Sequence, residues 1–344
     1  MMARLAQGMR PGNAWRRRWL PALVLFVALV VVHKEILRIV KFGTEVSFSN
    51  IRLSLSLPDA EIALRRADGI RLSASLYQPR QEGRRPAVLL LHGSTVRGRQ
   101  LALYRLLGRG LADRGYLVLS PDFAGFGSSQ NPFEADDPAV IDGDRDVLTA
   151  LDWLLARDDV DPRRVFLLGH SGGSVFALNV ALHDSRVRAL ALIGPPRNVI
   201  QRLSDRQQVE YFFARTRQQW LDHYQRDFPP WYTIELWYKE VMGSGASTTL
   251  LGDLGRYLPY FSGANHLPLL LVDGSREFDG DLYYLDIYAA AMSEPKRHLR
   301  LANGDHFGNT FNWLGLVLSD ATVAEQLLTG IDGWFSSAAP RGER

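Results

Sequence analysis

A serine framed by glycines at the end of an apolar run constrains the fold of this chain more than any other stretch. Residues 165–168 are continuously apolar, and Gly169-His170-Ser171-Gly172-Gly173 follows them directly. Residues 175–182 then have the composition of a helix. The outer glycines are small residues on both sides of the serine, as a sharp strand-to-helix turn requires. We therefore predict a strand, a tight turn and a helix, with the Ser171 hydroxyl at the apex.

Length and charge limit the classes of protein that fit. The 344 residues suffice for one large α/β domain with insertions or for two small domains. Residues 1–45 hold eight Lys or Arg against two Glu, which is a charge of +6 and leaves −3 on the rest of the chain. A nucleic-acid partner usually needs a basic face, so this distribution disfavours one. The chain has no cysteine, which excludes disulfides, thiolate metal sites and cysteine nucleophiles, and we expect neither a cofactor nor a metal.

The N-terminal segment predicts a membrane anchor. A basic cytoplasmic stretch, residues 1–18, ends in three arginines and precedes an uncharged run at residues 19–32. That run would span about 21 Å as a helix, short of a hydrocarbon core of about 30 Å, but apolar residues up to 40 can extend it. We predict an uncleaved single-pass anchor at residues 19–40, with the N-terminus cytoplasmic and the folded domain extracytoplasmic. The alternative is a cleaved signal peptide and a secreted product.

Strand and helix patterns alternate after residue 46. Residues 61–79 predict a hairpin with its turn at Asp68-Gly69. Short apolar runs predict buried strands, and stretches of helical spacing lie between them. This alternation favours a mostly parallel sheet covered by helices on both faces. The predicted strands are 86–91, 116–120, 165–170, 187–193, 267–272 and 298–301, and the predicted helices are 101–112, 147–154, 175–182 and 321–335.

Residues 195–266 interrupt that alternation with an aromatic-rich, partly helical segment. It holds thirteen Phe, Trp and Tyr residues, which can form the core of a small helical subdomain. They can also line an apolar substrate pocket beneath a lid, and both can hold at once. We predict a helical lid here, between a first core segment at 46–194 and a second at 267–336. Residues 337–344 are predicted to be a disordered tail.

Candidate partners for Ser171 follow the last strands. A serine hydroxyl needs a general base and a group that orients that base. His306 lies in a glycine-containing turn directly after the last predicted strand, where such a base would sit. Glu277 stands three residues after the strand-end glycine, and Asp279 is the alternative acid. The remaining carboxylates of that loop, Asp273 and Asp281, are interpreted as loop caps or solvated charges.

A tetrahedral intermediate at Ser171 would need two backbone N–H donors for its oxyanion. One is predicted to be Gly172, immediately after the serine at the start of the helix. The other is predicted to follow the His92-Gly93 turn, at Ser94 or alternatively at Thr95.

Four segments together resemble the α/β-hydrolase family. They are the His92-Gly93 turn, the loop from Asp122 to Ser129, the Gly169–Gly173 motif and the Gly304-Asp305-His306 turn. The similarity covers about residues 60–336. It implies an α/β-hydrolase fold and a catalytic triad of Ser171, Glu277 or Asp279, and His306. It also implies structural roles for His92 and Asp122. Aspartate is the usual acid, so Glu277 departs from the family pattern.

These features favour a serine hydrolase that cleaves a carboxylic ester or thioester with an apolar acyl group through an acyl-enzyme. The expected partners are a hydrophobic or lipid-like ester and the membrane. A serine aminopeptidase or amidase is an alternative, because the same triad cleaves amides. A non-catalytic, membrane-tethered binding protein is another. Enzymes of this fold with an aspartate nucleophile, such as epoxide hydrolases, are disfavoured by the serine at the apex.

Overall fold

The computed structural model describes six stretches of the chain, residues 55–93, 97–130, 143–195, 267–276, 295–313 and 316–338, together with residues 19–26, 28, 53 and 95. Residues 19–26 and 28 are helical. Among the residues described, no helix is both long and apolar enough to cross a bilayer. Most of the predicted anchor and of the predicted lid lies outside these stretches.

An eight-stranded sheet forms the centre of the fold, with its strands in the order β1-β2-β4-β3-β5-β6-β7-β8. The hairpin β1–β2 and the pair β2–β4 are antiparallel, and all other neighbours are parallel. The predicted α/β class with a mostly parallel sheet is thereby confirmed. The strands are β1 (Ala60–Arg65), β2 (Arg71–Tyr77), β3 (Arg85–Leu91), β4 (Leu117–Pro121), β5 (Val160–His170), β6 (Ala189–Ile193), β7 (Leu269–Gly274) and β8 (Lys296–Leu301).

Helices cover both faces of the sheet. Successive side chains of a strand point to opposite faces, so neighbouring residues of β5 pack against different helices. Leu167 packs on one face with α2 (Gly143–Leu155) and α3 (Gly172–His183). Leu168 packs on the other face with α1 (Ala102–Ala112) and α4 (Ala321–Ala338). Strands buried on both sides are apolar throughout, which is why the apolar runs of the sequence predicted them. Because β3, β5, β7 and β8 run parallel, their carboxyl ends lie at the same edge of the sheet.

Two features at the C-terminal end differ from the prediction. A two-stranded hairpin of β9 (Thr310–Trp313) and β10 (Leu316–Ser319) follows the His306 turn. The helix α4 also continues to Ala338, two residues into the predicted tail. Its last turn is held by the Ser337 hydroxyl, which donates to the Trp334 carbonyl at 2.7 Å.

Candidate active site

Ser171 occupies a strained turn between β5 and α3. Its backbone has φ 50° and ψ −124°, a conformation that L-residues rarely adopt and that costs on the order of 1–3 kcal/mol. A Cβ atom at Gly169 would lie 2.7 Å from the Ser174 Cα, and one at Gly173 would lie 2.4 Å from the His92 carbonyl oxygen. Both flanking positions therefore exclude any side chain. The predicted strand, tight turn and helix are confirmed.

The turn that carries His306 is held by its two polar neighbours. The Asp305 carboxylate accepts the N–H groups of Phe307 at 2.9 Å and Asn309 at 2.8 Å. In return, the Asn309 side-chain oxygen accepts the Asp305 N–H at 3.0 Å. Asn309 itself adopts φ 53° and is buried. Asp305 thus organises the loop from which His306 projects, whereas the sequence identified it only as part of the motif.

The loop after β7 is bonded to the loop after β8. The Arg276 N–H donates to the Gly304 carbonyl at 2.7 Å, and the Asn303 N–H donates to the Ser275 hydroxyl at 2.8 Å. A Cβ at Gly274 would lie 2.2 Å from the Gly304 oxygen, so glycine alone allows this approach. The beginning of the predicted acid loop therefore lies against the turn that carries His306.

His92 and Asp122 hold the loops beside the serine, as predicted. The His92 Nδ1–H donates to the Gly93 carbonyl at 2.7 Å, and its Nε2 accepts the Phe123 N–H at 3.0 Å. Asp122 accepts the N–H groups of Arg99 at 2.7 Å and Ser128 at 2.8 Å. His92 and Asp122 are fully buried. Their structural role is confirmed by these bonds.

Burial disfavours the charged form of two histidines at this edge of the sheet, His92 and His170. Burial lowers the pKa of His92 from 6.5 to about 4. Burial, followed by the charge of His306, lowers the pKa of His170 well below 6.5. Both pKa values lie below those of the same histidines in the unfolded chain. The contribution of these two histidines to the free energy of unfolding is therefore fully present above about pH 6.5, and it is lost as the pH falls towards the folded-state pKa values.

We expect the free energy of unfolding to fall by up to about 1.4 kcal/mol per pH unit for each of these two histidines below pH 6.5. Urea unfolding between pH 7 and pH 4.5 measures this slope. A His92→Gln variant should show a slope that is shallower by up to about 1.4 kcal/mol per pH unit, since the contribution of His92 is then removed. An unchanged slope in that variant would contradict the assignment.

The structure brings some predicted site residues together and leaves others undescribed. Ser171, Gly172 and His306 lie at the same edge of the sheet, since the His306 carbonyl oxygen accepts a hydrogen bond from the His170 Nε2 at 2.9 Å. The Thr95 N–H donates to the Gly93 carbonyl at 2.8 Å. Residues predicted for the acid and the second donor, Glu277, Asp279 and Ser94, lie outside the described residues.

Asp273 differs from its interpretation as a loop cap or solvated charge. Its side chain is fully buried at the end of β7 and accepts a hydrogen bond from the His298 Nε2 at 2.6 Å. His298 belongs to the neighbouring strand β8, in a register that no local pattern indicates. The carboxylate is therefore paired with a side chain of the adjacent strand.

Sequence reasoning missed two polar residues beside the serine. Tyr104 lies in α1 and is fully buried, and its hydroxyl contacts the His170 Nδ1 at 2.7 Å. Its position in the apolar stripe of α1 indicated only a core residue. His170 lies inside the serine motif, and its position directly before Ser171 was the sequence feature that could have identified it. Within the described stretches, no cluster of His, Asp and Glu could hold a metal ion.

Comparison with known proteins identifies the family. Residues 86–309 match the family described as alpha/beta hydrolase fold. The chain belongs to this family. The match includes the turn after β3, the Ser171 motif and the His306 turn, so the family assignment covers the candidate site.

Individual relatives are distant or partial. An uncharacterised protein of Mycobacterium tuberculosis is 29% identical over 164 residues, which are 48% of this chain and 54% of that protein. The chain thus spans about half the length of this curated relative. Epoxide hydrolase A of the same organism is 38% identical over 113 residues, 32% of either chain. A solved esterase of Pyrococcus furiosus has a TM-score of 0.53 and 16% identity, covering 83% of this chain and 93% of its own; that likeness shows the fold alone.

Proposed function

We propose that this α/β-hydrolase is a serine hydrolase that cleaves carboxylic esters or thioesters with an apolar acyl group. The observation that carries the proposal is the strained turn at Ser171, where both flanking glycines are sterically required and φ is 50°. A chain does not adopt such a conformation at a serine for packing alone, because glycine would adopt it at lower cost. The His306 turn is tied to the residue that precedes this serine.

In the proposed reaction, His306 removes the proton of the Ser171 hydroxyl as its oxygen attacks the ester carbonyl carbon. The oxyanion of the tetrahedral intermediate accepts hydrogen bonds from backbone N–H groups. When the bond to the leaving oxygen or sulfur breaks, His306 returns the proton to the departing alcohol or thiol. Water, activated by the same histidine, then hydrolyses the acyl-enzyme and restores the serine.

Hydrogen bonds of the described residues bear on the two open assignments. The Thr95 N–H is bonded to the Gly93 carbonyl, which favours Ser94 over Thr95 as the second oxyanion donor beside Gly172. Arg276 is bonded to Gly304, two residues before His306. Glu277 follows Arg276 directly, and this proximity along the chain favours Glu277 over Asp279 as the acid.

The partial similarity to an epoxide hydrolase does not change the proposed chemistry. Epoxide hydrolases of this fold use an aspartate nucleophile, as noted above, and this chain has Ser171 at the apex. An apolar acyl group is favoured by the thirteen aromatic residues between positions 195 and 266. Cleavage of amides in preference to esters would instead identify an amidase or aminopeptidase.

We expect a fluorophosphonate probe to label the folded protein at Ser171, with a p-nitrophenyl ester panel showing faster cleavage of longer acyl chains. Mass spectrometry of the labelled peptide identifies the modified serine. Ser174 provides a matched control, since its hydroxyl is buried only three residues away and Ser174→Ala should retain labelling. If the folded protein is not labelled at Ser171, the chain is a non-catalytic binding protein and the proposal fails.

A further inference from the structure

A relay of three hydrogen bonds connects the loop after β3 to the His306 turn. The Gly93 N–H donates to the Tyr104 hydroxyl at 2.7 Å, and that hydroxyl contacts the His170 Nδ1 at 2.7 Å. The His170 Nε2 contacts the His306 carbonyl oxygen at 2.9 Å. These residues come from four separate parts of the chain. The relay therefore joins the predicted oxyanion loop, α1, the serine turn and the histidine turn.

The two ends of the relay determine where its protons lie. A backbone N–H only donates and a carbonyl only accepts. The Gly93 N–H therefore donates to the tyrosine oxygen, and the His170 Nε2 carries a proton, which it shares in a hydrogen bond with the His306 carbonyl oxygen. The His170 Nδ1 then accepts the tyrosine proton. This arrangement needs a neutral imidazole, which the fully buried surroundings of His170 favour. The relay is thus a set of neutral hydrogen bonds with one direction.

His170 also contacts the side chain of His306. Their ring centroids are 4.7 Å apart, and the Phe307 ring lies 5.7 Å from His170 and 5.1 Å from His306. The residue that directly precedes Ser171 therefore contacts both the backbone and the ring of His306. At the other end, a Cβ at Gly93 would lie 2.9 Å from the Ser171 Cβ, so the tethered loop is in van der Waals contact with the serine.

We infer that Tyr104 and His170 are positioning residues, which hold the His306 turn and the Gly93 loop at a fixed separation on either side of Ser171. This inference rests on the proposed serine hydrolase function. The reaction needs the base and the oxyanion donors in register with one serine oxygen, and a misplacement of about 1 Å can cost about 100-fold in rate. Neither residue is assigned a chemical step in the proposed reaction; both act through the loops that they join.

The test is Tyr104→Phe, which removes one hydroxyl and keeps the ring. We expect kcat on the best ester of the panel to fall by roughly 10- to 100-fold with KM changed by less than about threefold, and fluorophosphonate acylation to slow in parallel. The matched control is Tyr116→Phe. Tyr116 is also buried, and its hydroxyl donates to Asp332 at 2.8 Å on the α4 side. This control should lower the urea midpoint while leaving kcat within about twofold.

Coupling between the two residues adds a second readout. If they act through one relay, Tyr104→Phe combined with His170→Gln should lose no more rate than the more damaging single change. Additive losses, or an unchanged kcat in Tyr104→Phe, would overturn the inference. An equal loss in Tyr116→Phe would do the same.

The relay can also be examined without activity. Histidine nitrogen NMR of the wild-type protein should show His170 protonated at Nε2 and unprotonated at Nδ1, and His92 with the opposite tautomer. The reverse tautomer at His170 would overturn the inference even if the variants do not fold. Wild-type protein that resists the fluorophosphonate would refute the proposed function, whereas labelled wild type with equally fast labelling of Tyr104→Phe would refute the positioning role alone.

Discussion

Replacing Ser171 with alanine is expected to abolish ester hydrolysis and fluorophosphonate labelling, with a loss in kcat on the order of 10⁴-fold or more. The hydroxyl is the proposed nucleophile, and no other side chain at the turn can replace it, since its neighbours are His170 and Gly172. Steady-state kinetics on the preferred ester measures the loss. Circular dichroism and the urea midpoint establish that the variant is folded. Retention of more than about one per cent of the wild-type rate would exclude Ser171 as the nucleophile.

A glycine at the same position separates the chemical role from the backbone strain. Alanine keeps the strain of φ 50° and ψ −124°, whereas glycine adopts this conformation readily. Ser171→Gly should therefore be inactive yet more stable to urea than Ser171→Ala, by about 1 kcal/mol, after the larger chain entropy of glycine offsets part of the relief. Equal stability of the two variants would show that the turn stores no strain at this residue.

The central sheet and the serine turn were predictable because their causes are local. An apolar run such as residues 165–168 has to be buried on both faces, and a glycine on each side of Ser171 is needed wherever a helix starts so close to a strand. The position of His306 was predictable for a similar reason, since a turn directly after a strand identifies the edge of the sheet at which it lies. Each of these inferences uses residues within one short segment.

The polar contacts were not predictable because their partners are distant in the sequence. Arg66 is buried against Asp146, 80 residues away, at 2.8 Å, and Tyr104 reaches His170 across 66 residues. Composition and spacing carry no record of such pairs. Asp273 was misinterpreted for this reason, as its partner His298 is fixed only by strand register. The hairpin β9–β10 was missed because strands of four residues have too few positions to show alternation.

Neutralising Asp122 is expected to destabilise the protein by about 3–5 kcal/mol, because it removes the only buried carboxylate that is paired with the Arg99 guanidinium among the described residues; the other partner, Glu61, is exposed. Both carboxylate oxygens accept N–H donors, from the Arg99 backbone on one side and from Ser128 and the Arg99 side chain on the other. In Asp122→Asn, the new amide N–H₂ must therefore face a donor whichever way it is turned. A Cβ at Gly98 or at Gly127 would overlap the carboxylate, so the backbone of both glycines lies directly against it. Urea unfolding at pH 7 measures the loss.

Glu61→Gln is the matched control, because the exposed Glu61 carboxylate accepts a hydrogen bond from the same guanidinium. The distance from the Arg99 Nη2 to the Glu61 Oε2 is 2.5 Å. The Glu61 side chain is 58% exposed, whereas that of Asp122 is fully buried. Water can replace a lost partner at the exposed position, so this variant should cost less than about 1 kcal/mol. Equal losses from the two variants would show that the buried charge of Arg99 is not the source of the destabilisation. A large difference would show that the source is the buried pairing of Arg99 with Asp122.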